Sequence, residues 1–408
     1  MGEVAFARTN LEISPQMNIL VLNAGSSSQK LSFFKLSSGL PETPQKPDWE
    51  AKLSVKWQEV QTDEWIQSLN ERLSTLFNGP EKLIDSPSKI NVVGHRIVHG
   101  GTRFLSSTKI DARVKADIED LEQLAPLHNK INLTGIDAIE QLLPGVQQIA
   151  VFDTAFHRTL PLYASLYPVP YQWYENLSIH KYGFHGINHQ YCTNRAARML
   201  GKRVEDLSII ICHLGSGCSL SAVEGGKSID TTMGFTPLEG LMMSTRCGSI
   251  DSGILIYLLR NTKMSADDLD KALNKDSGLK GIYEHSSDLA VVIDEMKKGD
   301  KRAKLAFDMY VYRIRRHICE MRAALKRLDC LVFTAGVGEN APLVRESVCD
   351  SLGFLNIQID NKLNDRTTSD GNIASGNSSI PLLVISARED WQIASDCWQL
   401  LGAVCSKS

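Results

Sequence analysis

The chain lacks paired cysteines. Its nine cysteines (192, 212, 218, 247, 319, 330, 349, 397 and 405) include no Cys-x-x-Cys, their count is odd, and several sit in apolar runs. That argues against a disulfide framework or a cysteine-based zinc site and predicts reduced, buried thiols in a cytoplasmic protein. It also lacks an apolar run long enough to span a bilayer. Residues 1–16, MGEVAFARTNLEISPQ, have no apolar core of a signal peptide and read as a short N-terminal extension, with Phe6 where a myristoylation signal needs Ser or Thr. Charge of one sign is missing too. The 44 Lys and Arg against 47 Asp and Glu leave a net charge of -3, which gives no basis for binding nucleic acid or an anionic membrane. A P-loop is absent: Gly226-Lys227-Ser228 resembles the end of one, but Ser221 stands where the pattern needs its first glycine.

What is present is length and glycine turns. A chain of 408 residues, 43% hydrophobic, supports two cores and two domains. An apolar strand, Leu207 to Cys212, runs into His213-Leu214-Gly215-Ser216-Gly217, then a second strand from Ser219 to Val223 and a hairpin turn at Glu224 to Lys227. The flanking glycines let backbone N–H groups converge on an anion. A Thr/Gly/Met loop follows and carries Arg246, a residue suited to phosphate or carboxylate. The stretch Met17 to Leu36 repeats the form: strand, Asn23 to Ser28 as a small polar turn, strand. This weak internal repeat points to a duplicated domain with phosphate between the halves, faced by Asn23 and Lys30. A third turn lies in Cys330 to Asn340, with Gly336, Val337, Gly338 and Asn340 ahead of a helix expected from Pro342. With Ala341 and Asp360 it also matches the dinucleotide fingerprint of an NAD-linked oxidoreductase, although fewer than eighty residues remain for that domain.

Charged residues are expected at strand ends between these turns. A strand within Asn91 to Thr102 puts Arg96 and Val98 on one face, a charge beside an apolar wall that suits a small organic anion. His95 and His99 have helical metal spacing, which is too wide for a shared ligand set on a strand. Pro126 is expected to divide Asp111 to Leu143 into two helices, with His128 in the break. The strand from Gln148 ends at Asp153, where α/β folds often keep a catalytic or metal-linked acid. His185 reads as a loop residue free of neighbours and a donor to substrate, ahead of a helix from Gln190 to Leu200, with His189 structural. A strand at Val55 to Val60, a helix at Asp63 to Phe77 and helical structure from Ser265 to Leu328 are expected elsewhere. A strand from Leu382 to Ser386 leads to Glu389, either a magnesium ligand or a helix-start acid favoured by the dipole.

Three glycine turns with strand-end arginines and acids suggest phosphoryl transfer, where catalysis is mainly positioning and charge neutralisation. The segments Asn23 to Ser28, His95 to Gly101, Phe152 to His157, Tyr182 to Gly186, Met233 to Gly240 and Phe333 to Asn340 resemble, in order, the motifs of the acetate kinase family. The resemblance implies an α/β, duplicated ribonuclease H-like fold of the actin, Hsp70 and sugar kinase type, with the active site in the interdomain cleft. It implies one domain of residues 17–152 plus 386–408 and a nucleotide-binding domain of 153–385. It further implies magnesium, ATP and ADP as co-substrates, acetate and acetyl phosphate, and a homodimer. Carried over by motif, Arg96, Asp153, His185 and Arg246 would be catalytic, and Arg96, Val98, Leu127, Phe184 and Pro237 would bind acetate. Lys30, His213, Gly215, Ser216, Gly217, Gly336, Val337, Gly338 and Asn340 would contact nucleotide, His128 a phosphate, and Asn23 and Glu389 the metal. The sequence departs from the family pattern in places, among them Ser216, which replaces Asn, Ser249, which replaces an acid, and Arg388, which adds a positive charge beside Glu389. They leave open a pyrophosphate-linked acetate kinase. Propionate or butyrate kinase is a further alternative, as is an ATP-driven switch protein of the same fold, which would leave the arginines and the apolar wall unexplained.

Overall fold

Two six-stranded sheets organise the chain. The structure, a computed structural model, describes residues 16–24, 28–37, 39–54, 62–80, 82–123, 126–367 and 369–405, without the side chains of 28, 54, 62, 123, 126–128 and 403–405. The expected strand at 55–60 therefore lies outside the described residues.

The first sheet contains β1 (Met17–Ala24), β2 (Ser28–Leu36), β3 (Trp49–Ser54), β4 (Val92–Ile97), β5 (Thr108–Lys109) and β6 (Gln147–Phe152), in the order β3-β2-β1-β4-β6-β5. The second contains β7 (Ser208–Leu214), β8 (Cys218–Glu224), β9 (Lys227–Thr231), β10 (Cys330–Thr334), β11 (Gly371–Asn372) and β12 (Leu382–Val384), in the order β11-β12-β10-β7-β8-β9. The two orders are one pattern. In each sheet three antiparallel strands form a meander, two more strands add parallel to the first, and a short antiparallel strand closes the far edge. β1 and β7 hold equivalent places, so the sequence repeat is a structural one. The fold is α/β, a duplicated ribonuclease H-like architecture of the actin and sugar kinase type.

Central parallel strands are covered on both faces and read as continuous apolar runs. β7 and β10 are buried along their whole length. One buried cluster joins the sheets: Ile19 and Val21 of β1 and Ile209 and Ile211 of β7 share it with Ile187, Tyr191, Trp391 and Ile393. The last four come from two helices that pack on each other, Gly186–Met199 and Glu389–Cys405. The other face of the second sheet is covered by the helix Lys301–Ala324, which buries Ile314, Ile318 and Met321 and starts at the cap Asp300. Leu305 of the same helix is half exposed.

Several boundaries differ from expectation. The helix expected from Gln190 begins at Gly186, and the last helix begins at Glu389 itself. Pro126 opens the helix Pro126–Leu142, where its missing N–H has no partner to lose, so His128 belongs to that helix's first turn and not to a break. The region after Ser265 is four helices: Ala266–Lys275, Gly278–Tyr283, Leu289–Lys297 and Lys301–Ala324. Eight described cysteines are free thiols, six of them buried. Among the described residues no helix is long and apolar enough to cross a membrane.

Candidate active site

A cleft of about 1050 Å³ opens along the ends of both sheets. Asn23, Lys30, Arg96, Val98, Asp153 and Glu389 line it from the first sheet's side. Phe184, His185, His213, Gly215, Ser216, Gly217, Pro237, Arg246, Gly336, Val337 and Asn340 line it from the second's. Three expected site residues are not among them. At Gly338 a Cβ would stand 3.3 Å from the Phe333 carbonyl carbon, so this glycine serves helix-to-strand packing. The side chains of Leu127 and His128 lie outside the described residues.

Parallel pairing brings the charged residues together. β1, β4 and β6 run side by side in one direction, so Asn23, Arg96 and Asp153 arrive at the same sheet edge. Arg96 Nη2 donates to Asp153 Oδ2 at 2.6 Å and Nη1 donates to the Ala24 carbonyl at 2.9 Å. Burial works against the Arg96 charge, but Asp153 and Glu389 outweigh it, so its pKa is raised. Glu389 accepts from Asn23 Nδ2 at 3.0 Å. Burial raises its carboxyl pKa, opposed by Arg96 and reinforced by Asp153. Arg246 is different. Its Nη1 donates to the Pro237 carbonyl at 3.0 Å, and it has no carboxylate partner among the described residues. Burial pulls its pKa down. A half-buried guanidinium without an anion is a site prepared for one.

His185 is tightly held, contrary to the expectation of a residue free of neighbours. It caps the helix Gly186–Met199 at φ 57°, a left-handed conformation that costs energy for a non-glycine residue. His157 Nε2 donates to the Phe184 carbonyl at 3.0 Å, and the Gly186 N–H donates to the Asp153 carbonyl at 2.8 Å. The imidazole stacks on His213 with centroids 3.9 Å apart and planes at 10°. Burial, and then His213, His189, Arg96 and Arg246, push its pKa well below 6.5.

The glycine turns are only partly as expected. In the turn after β7 the Gly215 N–H already bonds the Gly217 carbonyl at 3.1 Å, so it does not face the cleft as a free donor. The third turn is a short helix, Ala335–Asn340, entered through Ala335 at φ 66°. Asp360 caps the helix Asn361–Arg366 by accepting from the Lys362 and Leu363 N–H groups, and the sheet is mixed, which removes the dinucleotide reading. Lys30 lines the cleft with its charge already paired to Glu50 and Asp390, each at 3.2 Å. Among the departures, Ser216 lines the cleft, Ser249 Oγ accepts the Gly240 N–H at 3.0 Å, and Arg388 does not line the cleft.

Two residues escaped the sequence reading. Tyr167 donates to Glu239 and accepts the Phe235 N–H at 2.8 Å, fixing the segment that carries Pro237. Ser219 contacts His185 from a buried strand position; a hydroxyl inside an apolar strand was the available signal.

Among the described residues no group of three or more His, Cys, Asp or Glu is placed to hold a metal ion alone. The Asn23 amide and Glu389 carboxylate offer hard oxygen donors at the cleft. That set fits magnesium, which takes one or two carboxylates and completes its shell with water and substrate phosphates.

Known proteins resemble the chain in sequence and in fold. The model of the acetokinase family matches residues 18–395. An acetate kinase of Microcystis aeruginosa is 51% identical over 94% of this chain and 100% of its own length. The crystal structure of Porphyromonas gingivalis acetate kinase is 37% identical with a TM-score of 0.83, covering 94% of this chain and 100% of that one. A propionate kinase structure from Francisella tularensis is 36% identical with a TM-score of 0.80, covering 93% and 98%. A duplicated fold, a charged cleft at its sheet edges and a match along nearly the whole length have one reading: the chain belongs to the acetokinase family.

Proposed function

We propose that the chain is an acetate kinase that transfers the γ-phosphoryl group of ATP to acetate by direct in-line attack, reversibly, giving acetyl phosphate and ADP. The observation that carries this is the Arg246 guanidinium, without a carboxylate partner among the described residues, beside an apolar wall of Val98, Phe184 and Pro237 in the same cleft as the Arg96–Asp153 pair. A carboxylate titrates near pH 4 and needs no base to attack near neutral pH. An acetate oxygen forms the new bond to γ-phosphorus as the bond to the β,γ-bridging oxygen breaks, and ADP leaves with that electron pair. What the reaction needs is charge neutralisation between two anions. Arg96 and Arg246 hold the carboxylate and the moving phosphoryl group, and His185 donates a hydrogen bond to an equatorial oxygen. Asp153 keeps Arg96 in place. Magnesium, held by Asn23 and Glu389, would neutralise phosphate charge.

The nucleotide is assigned to Gly215, Ser216, Gly217, Gly336, Val337 and Asn340. Beyond them the cleft continues past Leu289, Ile293 and Leu343, an apolar end that a nucleoside can use and pyrophosphate cannot. That favours ATP over pyrophosphate despite Ser216. One methylene is worth only about 1–3 kcal/mol to a hydrophobic wall, so acetate, propionate and butyrate belong side by side in one test. Acyl phosphate trapped as hydroxamate should form fastest with acetate and ATP; faster formation with propionate, or with pyrophosphate as donor, would overturn that assignment.

Two broader assignments accompany this. Residues 17–152 with 386–408 form one body and 153–385 the other, in keeping with the helix Glu389–Cys405 packing on β1 and β4. The protein is a cytoplasmic homodimer; the helix Ser252–Asn261 exposes Ile254, Ile256, Tyr257 and Leu259, the kind of apolar patch that a partner subunit covers.

A further inference from the structure

The His185 ring touches one hydroxyl that a second histidine shares. Its Nδ1 lies 2.9 Å from Ser219 Oγ, and the same oxygen lies 2.8 Å from His189 Nε2. Ser219 and His189 are fully buried. Burial first, and neighbouring histidines second, push both rings' pKa well below 6.5, so near pH 7 each ring carries a single proton. Where that proton sits is set by hydrogen bonding. The Ser219 hydroxyl has one hydrogen and no other partner among the described residues, so it donates to one ring and accepts from the other. His189 Nδ1 settles which, because it is buried with no partner among the described residues. A bare lone pair there costs less than a stranded N–H. His189 therefore donates from Nε2 to Ser219, and Ser219 donates to His185 Nδ1. The proton of His185 is left on Nε2. That nitrogen stands 3.4 Å from where a Cβ would sit on Gly217, and Arg246 Nη1 stands at the same distance from the same point. His213, stacked on His185, follows the same rule: its Nδ1 accepts from Asn188 Nδ2 at 2.9 Å, which leaves its proton on Nε2 as well.

We propose that Ser219, backed by His189, is a positioning residue that fixes His185 as its Nε2–H tautomer and aims that N–H, beside Arg246, at the transferred phosphoryl group. No proton moves; His185 only donates a hydrogen bond. The aim at a phosphoryl group rests on the function proposed above, whereas the tautomer is measurable without substrates. The test is nitrogen NMR of histidine-labelled full-length enzyme, with the His185 signals identified by their loss in His185→Asn. Wild type should show a bare Nδ1 and a protonated Nε2. Ser219→Ala should populate both tautomers and lower kcat about 10-fold to 100-fold, with KM for ATP and acetate within about 2-fold. A protonated Nδ1 in wild-type His185 overturns the proposal, and so does a Ser219→Ala enzyme that keeps the single tautomer and full kcat. Should Ser219→Ala fail to fold, the wild-type spectrum decides. An Nε2–H tautomer in an enzyme that makes no acyl phosphate would uphold the Ser219 device and overturn the function assigned to the cleft.

Discussion

Arg96 and Arg246 look interchangeable in the sequence, yet different surroundings hold them. Arg246 is anchored through a carbonyl and, among the described residues, has no carboxylate to lose. Arg96 is 2.6 Å from Asp153 in a pair whose side chains are 14% and 1% exposed. Removing one member of a buried pair strands the other charge and costs about 3–5 kcal/mol. Arg246→Ala should therefore lower kcat about 100-fold to 1000-fold with Tm within about 2 °C of wild type. Arg96→Ala should lose comparable activity and also unfold at clearly lower urea concentration. Paired kinetics and urea titrations separate the two. Equal stability of both variants would contradict the role given to the Arg96–Asp153 pair.

At the scale of single elements, two helical glycines make opposite predictions. Gly135 lies in Pro126–Leu142, and an added Cβ there would meet nothing within 4 Å. Gly186 begins Gly186–Met199, and its Cβ would stand 2.2 Å from the Asp153 carbonyl oxygen. Alanine is the better helix former by about 1 kcal/mol, so Gly135→Ala should stabilise by roughly that amount. Gly186→Ala should destabilise by about 1–3 kcal/mol and lower kcat, because the clash displaces both His185 and Asp153. Thermal unfolding and kinetics of the two variants check this; a neutral Gly186→Ala would refute the close approach. These elements also mark what sequence can tell. The strand, turn, strand repeat of Met17–Leu36 and Ile209–Val223 was legible because buried strands write continuous apolar runs, and from it followed the duplication. Arg96 and Val98 do line the cleft together, but not through strand alternation, since β4 ends at Ile97 and Val98 lies one residue past it. The stack of His185 on His213 was not legible, because a helix cap and the end of β7 meet only through sheet pairing. Nor was the short helix at Gly336, where glycines that read as an open turn are wound into one by Ala335 in a left-handed conformation.

For the whole molecule, buried histidines set an acid limit. Burial pushes His95, His99, His157 and His213 each down to about 4 and is the first cause that holds His185 and His189 well below 6.5, while the unfolded chain titrates all six near 6.5. A folded pKa below the unfolded one means the contribution is complete above about pH 6.5 and is lost as pH falls toward 4, since the unfolded state takes up protons that the folded state refuses. Unfolding free energies from urea titrations should fall between pH 6.5 and 5 with an uptake approaching about six protons per chain; constant stability from pH 7 to 5 would contradict it. The two sheets together create what neither holds alone, a cleft lined by Arg96, Asp153 and Glu389 from the first sheet's side and by His185, Arg246 and the glycine turns from the second's. The measurement that tests this most directly is trapping of acyl phosphate by hydroxylamine with purified protein, magnesium, ATP and acetate. Hydroxamate that requires all three, and that disappears in Arg246→Ala, is the expected result. No hydroxamate from the complete mixture, or undiminished hydroxamate from Arg246→Ala, would contradict the account.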